Sequence, residues 1–178
     1  MGNGPGVERD GVGRIASHAC SCVRHGWDAS ELRPFPGIPA LLDELADVGM
    51  SLSVFTAATR RVALSMLAAA GIDAGFGVVI AGDEVDRPKP APAGLLLALR
   101  RPGVPAEAAA YVGDAEVDLG CADAAGSLGV HTGWGARVGV RAGAHPVAAS
   151  PYEVLSLLPA PGRRTGDGTA RESEEGQS

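Results

Sequence analysis

The sequence predicts an α/β fold, a Rossmann-like three-layer α/β/α sandwich with a mainly parallel sheet. Three observations carry this. Short apolar runs recur along the chain, at 51–56, 78–81, 108–112 and 128–132, and they are continuous rather than alternating, as in strands buried on both faces. Between them lie stretches with apolar residues at helical spacing. Glycine or proline punctuates most junctions. Strands alternating with helices build a parallel sheet covered on both sides, joined by right-handed crossovers.

Taken in order, residues 1–30 are expected to be an irregular or remnant segment, because glycine is frequent and no apolar period stands out. They contain His18, Cys20, Cys22 and His25. That spacing does not suit a closed zinc site, which wants Cys-x₂₋₄-Cys and a distant second pair. Pro34-Phe35-Pro36-Gly37 is a rigid turn, and Pro39 opens a helix with Leu41, Leu42, Leu45 and Val48 on one face. The strand over 51–56 leads through Ala57-Ala58 into a second helix, 59–70, with Val62, Met66 and Ala69 inward and Gly71 as its stop. After the strand at 78–81 comes a polar, proline-rich loop holding Lys89, then a helix from 93 to 101. The strand at 108–112 turns at Gly113 into a helix with Val117, Cys121 and Ala124 inward, ended by Gly126. A strand at 128–132, a short one at 146–148 and a helix from 152 to 158 follow. The stretch 31–160 is the expected core, and 161–178, made mostly of Gly, Arg, Glu and Ser, is an expected disordered tail. Both ends should exchange amide hydrogens fast beside a protected body over 37–158.

Composition narrows the function. The 178 residues are 46% hydrophobic but only 4% aromatic, so the core is built from Leu, Val and Ala. A net charge of −6 with no basic stripe argues against a nucleic-acid partner. No apolar run reaches membrane length and no signal-peptide core opens the chain, which argues against a membrane partner. Three cysteines in such a chain point to reduced thiols and a cytoplasmic location.

The polar groups that matter fall at strand ends. Thr56 ends one strand, Lys89 lies in the loop after the next, and Asp114 ends the third, with Asp118 one helical turn further. Carboxyl ends of parallel strands share one edge of the sheet, so these groups should converge. Asp114 and Asp118 are two hard oxygen donors suited to Mg²⁺. Thr56 and the backbone N–H groups after it, beginning at Ala57, would hold phosphoryl oxygens, and Lys89 would offset their charge. Each group also has an ordinary reading: Asp114 and Asp118 as acids at a helix N-terminus, Thr56 as a helix cap, Lys89 as a solvated loop lysine. Lys89 is the only lysine in the chain and sits between two prolines.

With these residues in view, the stretch from Leu32 to Leu158, 127 of 178 residues, resembles the haloacid-dehalogenase-like hydrolases and, within them, the phosphoglycolate-phosphatase-like branch. Pro34-Phe35-Pro36-Gly37-Ile38-Pro39 is similar to that branch's approach to its core. Val54-Phe55-Thr56 resembles the second family motif, Arg87-Pro88-Lys89-Pro90-Ala91-Pro92 the third, and Val112-Gly113-Asp114 through Asp118 the fourth. Ala124-Ala125-Gly126 and the stretch from Val130 to Gly135 continue the likeness. The resemblance implies a Mg²⁺-dependent phosphomonoester phosphatase acting on a small phosphorylated metabolite. Thr56, Ala57 and Lys89 would hold phosphate, and Asp114 with Asp118 the metal.

The family's first motif is an apolar strand ending in Asp-x-Asp-Gly. Its first Asp is the nucleophile that forms an aspartyl-phosphate, and its second is the general acid/base. No Asp-x-Asp occurs here. Glu8-Arg9-Asp10-Gly11 is the nearest candidate, with Glu8 in the nucleophile's place and Asp10 in that of the acid/base, but the Gly-rich residues before it do not read as a strand. The distance from Asp10 to Thr56 is too short for the branch's helical cap domain. The N-terminal strand and cap are therefore expected to be missing or degenerate, and catalysis impaired. Without the first strand, the strands ending at Thr56 and Asp114 would pair directly or leave a gap, which self-association or a partner chain would complete. The rival readings are a non-catalytic pseudoenzyme or assembly partner that keeps the phosphate pocket, and a fragmentary product with no stable role.

Overall fold

In a computed structural model of the chain, residues 32–134 and 145–158 are described in full, together with the backbone of 14–17 and 23–24. Six strands form one wholly parallel sheet: β1 (Arg14–Ser17), β4 (Leu52–Phe55), β5 (Val78–Ile80), β6 (Ala109–Gly113), β7 (Leu128–Thr132) and β8 (Val147–Ala148), in the order β5-β4-β1-β6-β7-β8. A separate antiparallel pair, β2 (Val23–Arg24) and β3 (Arg33–Pro34), lies between β1 and the first helix in the chain. The helices are α1 (Ile38–Asp47), α2 (Arg60–Ala69), α3 (Ala93–Arg100), α4 (Glu116–Ala125) and α5 (Pro151–Leu157).

The alternation of side chains along each strand divides the core into two layers. Leu52, Val54, Ala110, Val112 and Val130 turn toward α1, α2 and α5, meeting Leu41, Leu45, Leu67 and Val154. Phe55, Ile80, Ala109 and Tyr111 turn the other way and meet Leu95, Ala98 and Leu99 of α3 and Cys121 and Ala122 of α4. The three-layer α/β/α architecture expected from the sequence is thus present.

The sheet's centre differs from expectation. The slot between the strands that end at Thr56 and Asp114 is filled by the chain's own residues. Ile15 pairs with Leu52 on one side and Ala110 on the other, and Ser17 with Val54 and Val112. The sheet therefore needs no partner chain at this slot, and the core expected to begin at residue 31 takes a strand from the segment before it. The reason is physical: a central strand gains ladder hydrogen bonds on both edges, and these outweigh the weak strand propensity of Gly-Arg-Ile-Ala-Ser. The His18, Cys20, Cys22 and His25 cluster and the tail over 161–178 lie outside the described residues.

Two helices are turned by one residue from the expected face. In α2 the buried residues are Ala63 and Leu67, while Val62 is 44% exposed. In α4 they are Asp118, Leu119, Cys121 and Ala122, while Val117 is 45% exposed and Ala124 is also exposed. Both helices carry small or apolar residues all round, so their sequence period does not single out one face. For α4 the one-residue turn decides the chemistry, because it carries Asp118 inward.

Candidate phosphate site

The carboxyl edge of the sheet brings together β4, β6 and the loop between β5 and α3. Thr56 is fully buried immediately after β4. Its N–H donates to the carbonyl of Ile80 at 3.0 Å, which ties it to the end of β5. Its Oγ1 accepts the N–H of Ala58 at 3.1 Å. Thr56 is not the cap of α2, whose N-cap is Thr59; it shapes the turn before it. Ala57 is exposed at that turn. Gly82 N–H donates to the carbonyl of Ala58 at 2.9 Å, and a Cβ at Gly82 would overlap the carbonyl of Ala57. Arg60 N–H donates to Asp83 Oδ1 at 2.9 Å, while Arg60 Nη1 reaches Glu84 at 3.0 Å. The turn after β4 and the turn after β5 are thereby joined.

Lys89 reaches into the same edge and its side chain is 3% exposed. Its Nζ donates to Asp118 Oδ1 at 2.6 Å and to Tyr111 Oη at 3.2 Å. The ammonium also lies 5.3 Å from the ring centre of Phe55 and 5.8 Å from that of Tyr111, within range of a cation–π attraction. A lysine with its head so buried is tolerated only when paired, and Asp118, itself 0% exposed, supplies the opposite charge. This pair excludes the solvated-loop reading of Lys89.

Asp118 was expected to sit beside Asp114 as a second cation ligand. Its oxygens are engaged otherwise, Oδ1 by Lys89 and Oδ2 by the N–H of Ala115 at 3.2 Å. Asp114 is half-buried at the start of the turn into α4, and its carboxylate has no hydrogen bond or ion pair among the described residues. Gly113 makes the arrangement achievable: a Cβ there would overlap the Cβ of Asp118. Among the described residues no group of three His, Cys, Asp or Glu side chains is placed to hold a metal.

Tyr111 was not singled out from the sequence. It is fully buried on β6, and its hydroxyl donates to the carbonyl of Phe55 at 2.9 Å. Burial first, then the nearby Asp118 charge, pushes its pKa well above the usual tyrosine value. The available signal was a hydroxyl in an otherwise apolar strand, since a buried tyrosine usually finds a polar partner. Burial likewise pushes the Cys121 thiol up to about 11, with Lys89 opposing and Asp118 adding to the shift. Glu8 and Asp10 lie outside the described residues. In the chain they precede β1, whereas Thr56 and Asp114 lie at or just past the carboxyl ends of their strands.

The order of strands and of these polar groups matches what the sequence suggested, and the chain matches the haloacid dehalogenase-like hydrolase family profile over residues 18–130. The chain belongs to the haloacid dehalogenase-like hydrolases. It is similar to a probable phosphatase, IndB, of Dickeya dadantii, 39% identical over 101 residues, 57% of this chain and 44% of that protein. It is also similar to a phosphoglycolate phosphatase of Yersinia pestis, 34% identical over 129 residues, 72% of this chain and 55% of the relative. Among solved structures, CbbY from Rhodobacter sphaeroides in complex with phosphate superposes with a TM-score of 0.64 at 30% identity, covering 71% of this chain and 60% of that one. The chain spans about half the length of the curated relatives it matches. Among the described residues, no helix is long and apolar enough to cross a membrane.

Proposed function

We propose that this member of the family binds the phosphoryl group of a small phosphorylated metabolite at the Thr56–Lys89–Asp114 edge, and that its phosphomonoester hydrolysis is impaired. The observation that carries the binding half is the buried Lys89 ammonium, held at the same sheet edge as Thr56. An ammonium has three donors. Two are taken by Asp118 and Tyr111, and the third remains for a phosphoryl oxygen. Thr56 contributes its hydroxyl, and the turn at Ala57 contributes backbone N–H. The names of the phosphatase relatives support the substrate class.

Mg²⁺ fits this edge as a weakly held ion. The unpartnered carboxylate of Asp114 would be its direct ligand, with Asp118 behind it largely committed to Lys89; when bound, the ion would supply positive charge beside the phosphoryl oxygens. The hydrolytic half rests on a carboxylate directly after the central strand. The residues that follow β1 are His18, Ala19, Cys20, Ser21 and Cys22, and the first acid after β1 is Asp28. Glu8 and Asp10 stand on the other side of β1 in the chain. A nucleophile displaced from the line of attack costs most of the rate. The same observation favours, as a second reading, a non-catalytic family member that keeps the pocket.

Calorimetry with inorganic phosphate tests the proposal, with and without Mg²⁺. Saturable binding that weakens by at least about tenfold in Lys89→Met is expected, as for loss of a charged hydrogen bond. Mg²⁺ should bind weakly and lose its site in Asp114→Ala. Phosphate binding unchanged by Lys89→Met, or tight Mg²⁺ binding that survives Asp114→Ala, would contradict it.

A further inference from the structure

The hydroxyl of Tyr111 touches two of the family's motif segments at once. It accepts from Lys89 Nζ at 3.2 Å and donates to the carbonyl of Phe55 at 2.9 Å. Phe55 is the residue before Thr56, and its ring also lies below the Lys89 ammonium. Asp118 holds the same ammonium from α4 at 2.6 Å. One hydroxyl thus links the lysine loop to the strand that presents Thr56, from a position on β6 three residues before Asp114.

We propose that Tyr111 is the positioning residue of this site: its hydroxyl fixes the rotation of the Lys89 ammonium so that the third N–H points toward the position of the phosphoryl group. Asp118 alone anchors the ammonium at one point, about which the other two N–H groups turn freely. A second anchor removes that freedom, and the third donor then has one direction. The hydroxyl can serve as the second anchor because its own proton is committed to Phe55, which leaves its lone pairs to the lysine. A phenyl ring in the same place would keep the packing and the face presented to the cation while losing the anchor. The inference rests on the phosphate-site reading for the direction of the third donor, but not for the anchoring itself.

The test exploits a feature of the sequence. Lys89 is the only lysine, so protein labelled with ¹⁵N-lysine gives a single Nζ signal. In the wild type that signal should be a slowly exchanging ammonium, with a nuclear Overhauser contact from the Lys89 side chain to the Tyr111 ring. In Tyr111→Phe the ammonium protons should exchange at least about tenfold faster, and the dissociation constant for inorganic phosphate should rise by about tenfold, as for a lost hydrogen bond to a charged group. Leu99→Ala is the control, a cavity in the same core layer at the far end of α3. It should lower stability while leaving the lysine signal and the phosphate affinity unchanged. Exchange and affinity at wild-type values in a folded Tyr111→Phe protein would overturn the role. Should that variant not fold, the wild type decides: a fast-exchanging ammonium without the tyrosine contact would overturn it. Should the wild type bind no phosphate, the functional reading fails, and the exchange arm still decides whether Tyr111 anchors Lys89.

Discussion

Two ends of the same sheet edge differ in how fully they are built. At the β6 side, Lys89, Asp118, Tyr111 and the carbonyl of Phe55 form a closed set in which the listed polar groups all have partners and are nearly all buried. At the central strand, the backbone of β1 is in place between its neighbours, but the residues that follow it supply no carboxylate. The difference teaches that the parts of this fold that hold a phosphoryl group and the part that attacks it are separable. The lysine and threonine are held by packing and by hydrogen bonds from three elements. The nucleophile depends on one side chain directly after one short strand.

The largest effect is expected from breaking the closed set. Lys89→Met leaves Asp118 buried without its cation, and removing one partner of a buried pair costs about 3–5 kcal/mol. Denaturant unfolding measures this, and adding Asp118→Leu to the same protein should recover part of the loss, because both charges are then gone. A change under about 1 kcal/mol in the single variant would place the pair in water.

A smaller loss tests the other side. Ile15→Pro deletes a backbone donor from a strand flanked on both edges, leaving a buried carbonyl partner unpaired at about 1–3 kcal/mol. Unchanged stability would mean that β1 contributes little to the sheet.

The smallest effect is a pH dependence. The Cys121 thiol is raised from 9.0 to about 11 in the folded chain, and Tyr111 is raised too. A folded group with a raised pKa holds its proton where the unfolded chain has released it. Its stabilisation is complete below the unfolded value and is lost as pH rises. Stability should therefore decline between about pH 9 and about pH 11, and Cys121→Ala should flatten part of that decline. A rise in stability across the same window would show the thiolate to be favoured.

Much of this was legible in the sequence, for identifiable reasons. The strands ending near Thr56, Asp114 and Thr132 are continuous apolar runs, and no other element competes for them. The convergence of Thr56, Lys89 and Asp114 followed from the rule that parallel strands share a carboxyl edge. β1 was not legible, because four residues with one large apolar side chain do not stand out among glycines, and its stability comes from its neighbours. The Lys89–Asp118 pair was missed for a rotational reason. Reading Val117 as the inward residue of α4 turned Asp118 toward Asp114, and only the packed helix shows that Asp118 is the buried side chain. Tyr111 was counted as part of an apolar run, although its hydroxyl joins two of the site's segments.

The most direct test is turnover of p-nitrophenyl phosphate by the purified chain with Mg²⁺, beside its Glu8→Gln and Asp10→Asn variants. Catalysis that lacks its nucleophile retains only what binding and electrostatics supply. The expected result is hydrolysis several orders below that of a complete phosphatase and equal in all three proteins. Robust turnover abolished by Glu8→Gln would contradict it, and would show that a carboxylate ahead of β1 reaches the phosphoryl group after all.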